Sequence, residues 1–146
     1  MILPTFTQTM IFPGQFESLA RIGEFVTRAA VAASFDATAV YAVEMAVDEA
    51  CTNIIEHAYG GEDRGDIECT CQVKAGELRV TLRDYGHPFD PASVPEPNIT
   101  ASLEERQEGG LGLFLMRKLM DEVHFEFTHH AGNILTLVKR KEPLSP

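Results

Sequence analysis

The sequence predicts an α+β fold, with a sheet and a layer of helices packed as a two-layer sandwich. Three observations carry this. Two pairs of alternating segments are each joined by a short glycine-containing turn, the mark of a β-hairpin. Three segments repeat their apolar residues every three or four positions, the period of a helix. Strands cluster in hairpins while helices fall between the clusters, an order that layers helices on a sheet.

Each element has its own signal. Residues 2–12, ILPTFTQTMIF, are rich in strand formers, and Pro13-Gly14 ends the run. From Phe16 to about Phe35, apolar residues recur at Leu19, Ile22, Phe25, Val26, Ala29 and Ala33, which predicts an amphipathic helix. Asp36 reads as an N-cap, and a second helix runs from about Ala37 to Tyr59, ended by Gly60-Gly61. Its stripe includes Val43, Val47, Ala50, Cys51, Ile54 and Ile55. Asp66–Lys74 and Glu77–Asp84 form a hairpin about Ala75-Gly76. Residues 86–110 carry four prolines and little apolar register, and such a long connection inside a compact domain is commonly a lid. LGLFLMRKLMDEV predicts a third helix, and Glu122–His129 with Ile134–Arg140 a second hairpin about Ala131-Gly132-Asn133. KEPLSP, about residues 141–146, reads as a loose tail.

Composition narrows the function classes. A chain of 146 residues suits a single domain, residues 1–146. A net charge of −10 repels phosphate backbones, and no Lys/Arg cluster offsets it, so direct nucleic-acid binding is not expected. No apolar run approaches the roughly 18–20 residues of a membrane span. The amino-terminal stretch lacks a basic region and a small-residue cleavage site, so the expected location is cytoplasmic. Cys51, Cys69 and Cys71 are an odd set with no matching ligand pairs, which reads as reduced core thiols. His129-His130 sit beside a turn and read as solvated.

Three constellations could carry chemistry. Glu49, Asn53 and His57 are spaced four apart, and each such step turns only about 40° around a helix, so they form a polar ridge. A ligand-facing helix looks like this, and so does any solvated helix face. Asn53 is the discriminating member, being a mediocre interior helix former and a competent Mg²⁺ ligand. Asp84-Tyr85-Gly86-His87-Pro88-Phe89-Asp90-Pro91 follows at a strand end. A carboxylate there can accept the exocyclic amine of a purine, with Gly86 letting a base approach the backbone; Asp-x-Gly is also a common turn. Glu108-Gly109-Gly110-Leu111-Gly112-Leu113 then runs into a helix, where backbone N–H groups can converge on phosphate; glycine clusters are also hinges.

In combination, EACTNIIEHAYG, DYGHPFDP and EGGLGLFLMRKLMDEV resemble the superfamily that unites gyrase, heat-shock chaperone ATPases, histidine kinases and mismatch-repair ATPases. They are most similar to the bacterial anti-sigma-factor serine/threonine kinases, over about residues 5–140. The resemblance implies a Bergerat-type, histidine-kinase-like ATPase fold, with a mixed, mostly antiparallel sheet and helices on one face. It implies Mg²⁺ and ATP as cofactors, with Glu49 as general base and Asn53 as metal ligand. Asp84 would bind the adenine amine, with Gly86 beneath the base, and Phe89 would belong to the same nucleotide site. Gly109, Gly110, Leu111, Gly112 and Leu113 would form the phosphate loop, and His57 would lie near the phosphates. The implied partners are an anti-sigma-factor antagonist as protein substrate, a sigma factor, and a second copy of the chain. Pro88 departs from a glycine common in the superfamily. No single phosphate clamp stands out, Arg106, Arg117 and Lys118 being the candidates. The alternatives are a non-catalytic ATP-dependent switch module and a detached histidine-kinase domain.

Overall fold

The computed structural model describes residues 5–88, 110–128 and 130–141. Five strands, β1 (Phe6–Pro13), β2 (Asp66–Lys74), β3 (Glu77–Asp84), β4 (Glu122–Thr128) and β5 (Gly132–Arg140), form one sheet in the order β1-β2-β3-β5-β4. Every pairing is antiparallel, so the expected mixed sheet is not found among the described residues. The sequence offers the reason. Both predicted hairpins form, the β1–β2 join pairs antiparallel neighbours, and the β3–β4 join crosses over β5, so the two strands it links run in the same direction without pairing to each other.

Helices α1 (Leu19–Ala32), α2 (Ala37–Asn53) and α3 (Gly110–Leu119) supply the second layer. The predicted first helix is preceded by a separate 3₁₀ turn, Phe16–Ser18. Ser18 stands at the N-cap of α1 without capping it; its buried hydroxyl donates to the Pro13 carbonyl at 2.7 Å instead, tying the helix start to the end of β1. Asp36 caps α2 as expected, its carboxylate accepting from the Ala39 N–H at 2.8 Å.

The second helix does not stay α-helical to Tyr59. From Ile54 to Ala58 it widens into a π turn, with the Tyr59 N–H donating to the Ile54 carbonyl at 2.9 Å. The turn is held from outside. The Tyr59 hydroxyl donates to the Asp66 carbonyl at 2.6 Å and accepts from the Tyr85 N–H at 3.0 Å, while the Ala58 carbonyl accepts from the His87 N–H at 2.7 Å. Wide turns of this kind are frequently found at functional sites.

Period-two alternation sends Ile67, Cys69, Cys71 and Val73 of β2, and Leu78, Val80 and Leu82 of β3, under the helices. Ile22 and Val26 of α1, with Val43, Val47 and Cys51 of α2, close over them. All three cysteines are free and buried, and burial pushes the Cys51 thiol well above its ordinary pKa. These are inert core thiols, as the sequence indicates.

Candidate functional site

The alternation that buries Leu78, Val80 and Leu82 does not stop at the apolar residues. Asp84, the last residue of β3, falls on the same face and is only 5% exposed. Burial raises its pKa, opposed by two hydrogen bonds that favour the charged form. These come from the Gly86 N–H at 2.9 Å and the Asn133 side-chain amide at 2.8 Å, both to Oδ1.

Strand register builds the rest of this wall. Asp84 pairs with Asn133 of β5, and Asn133 pairs with Phe127 of β4, so a carboxylate, an amide and an aromatic ring lie in one row across three strands. The next row brings Leu135 against Phe125. The rings of Phe125 and Phe127 stack at 6.4 Å between centroids and 24° between planes. Together these side chains line one side of a cavity of about 130 Å³.

The helices form the other side. Asn53 closes α2, His57 lies in the π turn, and both face the cavity, as do Leu113 and Met116 of α3. An apolar hollow with a few convergent polar groups is the usual form of a small-ligand site. Here those groups are Asn53, His57, Asp84, His87 and Asn133.

Glu49 lies one helical turn before Asn53 but does not line this cavity. It packs against Gly112 of α3, where an added Cβ would overlap its carboxylate. Burial, then the charges of Asp48 and Glu56, raise the Glu49 pKa, while His57 lowers it. That direction moves a carboxylate towards the range useful to a base at neutral pH.

Several expectations need correction. Gly86 has a steric reason to be glycine apart from any bound base: the space a Cβ would take is filled by the backbone of Ala58. Gly86 lines a second, more open hollow next to Asn133 and Phe127. The third helix begins at Gly110, one residue before the predicted Leu111, so that Gly110, Leu111 and Gly112 form its first turn. That helix ends at Leu119, short of the predicted Val123, because β4 begins at Glu122. Arg117 and Lys118 are exposed in its last turn, with Lys118 over the Phe114 ring at 5.4 Å. His130 is exposed, in keeping with a solvated turn. Phe89, Gly109, Arg106 and His129, with most of the expected lid, lie outside the described residues, as does the side chain of Leu111.

Sequence reasoning missed Asn133, Phe125 and Phe127. Their signal was present: the alternation in EVHFEF puts both phenylalanines on one face, and hairpin register sets Asn133 opposite Phe127.

Residues 12–139 match the family described as histidine kinase-like ATPase domain. The serine-protein kinase RsbW of Bacillus velezensis is 38% identical over 85 residues, 56% of this chain and 53% of that one. The protein of the same name from Bacillus subtilis strain 168 is 34% identical over 101 residues, 66% of this chain and 62% of that one. The one from Listeria monocytogenes serotype 4a is 31% identical over 126 residues, 84% of this chain and 79% of that one. The chain thus spans little more than half the length of the Bacillus relatives and more of the Listeria one. Among solved structures, the RsbU and RsbW domains of a Mycobacterium tuberculosis protein match with a TM-score of 0.66 at 16% identity, covering 94% of this chain and 33% of that one. The catalytic domain of the histidine kinase ThkA matches with a TM-score of 0.54 at 17% identity, covering 93% of this chain and 99% of that one. These structural likenesses concern the fold.

Proposed function

The chain belongs to the histidine kinase-like ATPase domain family, and on that premise we propose that it is a serine/threonine protein kinase using Mg-ATP to phosphorylate an anti-sigma-factor antagonist. By the same reading it also binds and holds a sigma factor. The observation that carries the proposal is the buried Asp84 carboxylate on the wall of an apolar cavity, facing Asn53 across it. The relatives named serine-protein kinase support the choice of serine or threonine as acceptor.

Asp84 accepts the exocyclic amine of adenine, while the phenylalanines and Leu135 exclude water from the base. Among the described residues, no group of three or more His, Cys, Asp or Glu side chains could hold a metal. Mg²⁺ commonly takes one or two protein oxygens and completes its shell with phosphates and water. Asn53 would provide the protein oxygen, and the ion when bound neutralises phosphate charge. Gly110 and Gly112 would lie along the phosphates, with His57 nearby. Glu49 takes the proton from the substrate hydroxyl as its oxygen bonds the γ-phosphorus and the bond to the β-phosphate oxygen breaks, releasing ADP.

Two observations favour a second reading, an ATP-dependent switch module without transfer. Glu49 stands off the cavity, and the described basic residues of α3 point to solvent. The experiment that separates the two is incubation with Mg-ATP and a candidate anti-sigma-factor antagonist, read by intact mass. A kinase adds one phosphate to the antagonist, and Glu49→Gln slows that step by about 10²-fold or more. Nucleotide binding with no mass shift favours the switch module. Transfer at the wild-type rate by the Gln variant removes Glu49 from the role of base.

A further inference from the structure

Asn133 holds the one described side chain that hydrogen-bonds Asp84. Its Nδ2 lies 2.8 Å from Asp84 Oδ1, 3.0 Å from the Gly86 carbonyl and 3.4 Å from the His87 carbonyl. All three are acceptors, so the amide orientation is fixed: turned over, its oxygen would meet oxygen three times. Oδ1 of Asp84 also accepts from the Gly86 N–H at 2.9 Å. A carboxylate oxygen has two lone-pair sites in its plane, and here two donors occupy both. The second oxygen, Oδ2, meets no donor among the described residues, and Asp84 lines the cavity.

The carboxylate therefore offers a base one acceptor instead of two. Adenine presents a single amine donor beside a ring nitrogen that accepts. Guanine presents two adjacent donors, the ring N1–H and the 2-amine, and satisfies both only on two free carboxylate oxygens. At this site one guanine donor would be buried without a partner, which is costly. We propose that Asn133 is a specificity-determining residue that, by occupying Oδ1 of Asp84, selects adenine over guanine nucleotides. The inference rests on the nucleotide reading of the cavity and adds the reason for its base preference.

The test is calorimetric titration of the full chain with Mg-ATP, Mg-GTP and Mg-ITP, the last lacking the 2-amine of guanine. Wild type should prefer ATP to GTP by about tenfold or more, the scale of one unpaired buried group. It should also bind ITP more tightly than GTP, because a single donor remains to be matched. Asn133→Ala frees Oδ1 and should narrow the ATP/GTP ratio by about tenfold, through a gain in GTP affinity. Thermal unfolding of the variant confirms its fold, and the ITP comparison on wild type stands even where the variant does not fold. Equal binding of ITP and GTP by wild type overturns the proposal. So does Asn133→Ala losing affinity for ATP and GTP in equal proportion, since that is what a purely structural amide would do. A wild type that binds ATP but fails these comparisons leaves the ATP site standing; one that binds none of the three nucleotides removes both.

Discussion

The two walls of the cavity are built by different rules. On the sheet side, register sets Asp84, Asn133 and Phe127 in a row, and Asp84 and Asn133 are bonded to each other. On the helix side, Asn53 and His57 reach the cavity through a turn that departs from the α-helix. The sheet wall is fixed by backbone pairing, which a one-residue slip would turn inside out. The helix wall is fixed by anchors beyond its own helix: Tyr59 on Asp66 and Tyr85, and the Ala58 carbonyl on His87. A strand end preorganises polar groups; a widened helix turn depends on its neighbours to do so.

The contrast can be broken at the point where the walls touch. Gly86→Ala would drive a methyl group into the backbone of Ala58, which is not a flexible side-chain end and cannot step aside. Chemical denaturation should register a loss of about 1–3 kcal/mol, as overpacking does. A neutral result would mean that the π turn can shift freely, and that the anchors do not hold it. Gly112→Ala meets the far end of Glu49 instead, which can move. Stability should hold or rise by up to about 1 kcal/mol from helix propensity. Phosphoryl transfer should fall about tenfold as the carboxylate is displaced, on the reading of Glu49 as base. A transfer rate unchanged alongside normal folding would detach Glu49 from the chemistry.

The smallest effect sharpens the sheet wall. Burial holds the Asp84 pKa above its ordinary value, so ionising it costs folding free energy. Its favourable contribution, relative to a neutral side chain, is complete below the unfolded-state pKa and is lost as pH rises through the raised folded-state value. Asp84→Asn keeps the Oδ1 acceptor for Gly86 and Asn133 and removes the charge. Melting curves should therefore find the variant no less stable than wild type at pH 7, with wild type gaining on it as pH falls through the carboxylate range. A variant much less stable at pH 7 would mean that the ionised carboxylate supports the fold.

These differences also explain what the sequence revealed. The hairpin about Ala75-Gly76, the Asp36 cap and the buried stripe through Val43, Val47 and Cys51 are local patterns, and each is found where the sequence placed it. Asp84 was legible because DYGHPFD begins where an alternating run ends. Asn133 was not singled out because its meaning depends on pairing with Asp84, 49 residues away. The π turn was illegible for a similar reason, since its causes lie in Asp66, Tyr85 and His87 and not within IIEHA. Gly86 was recognised, but its steric partner, the Ala58 backbone, belongs to another element.

The central claim is that Asp84 recognises the base of a nucleotide from the sheet wall. Calorimetric titration of Mg-ATP into wild type and Asp84→Asn at pH 7 tests it most directly. The account predicts saturable binding by wild type and an affinity lower by about tenfold or more in the variant, the scale of one hydrogen bond to a charged group. Equal ATP affinity in the two folded proteins would contradict it.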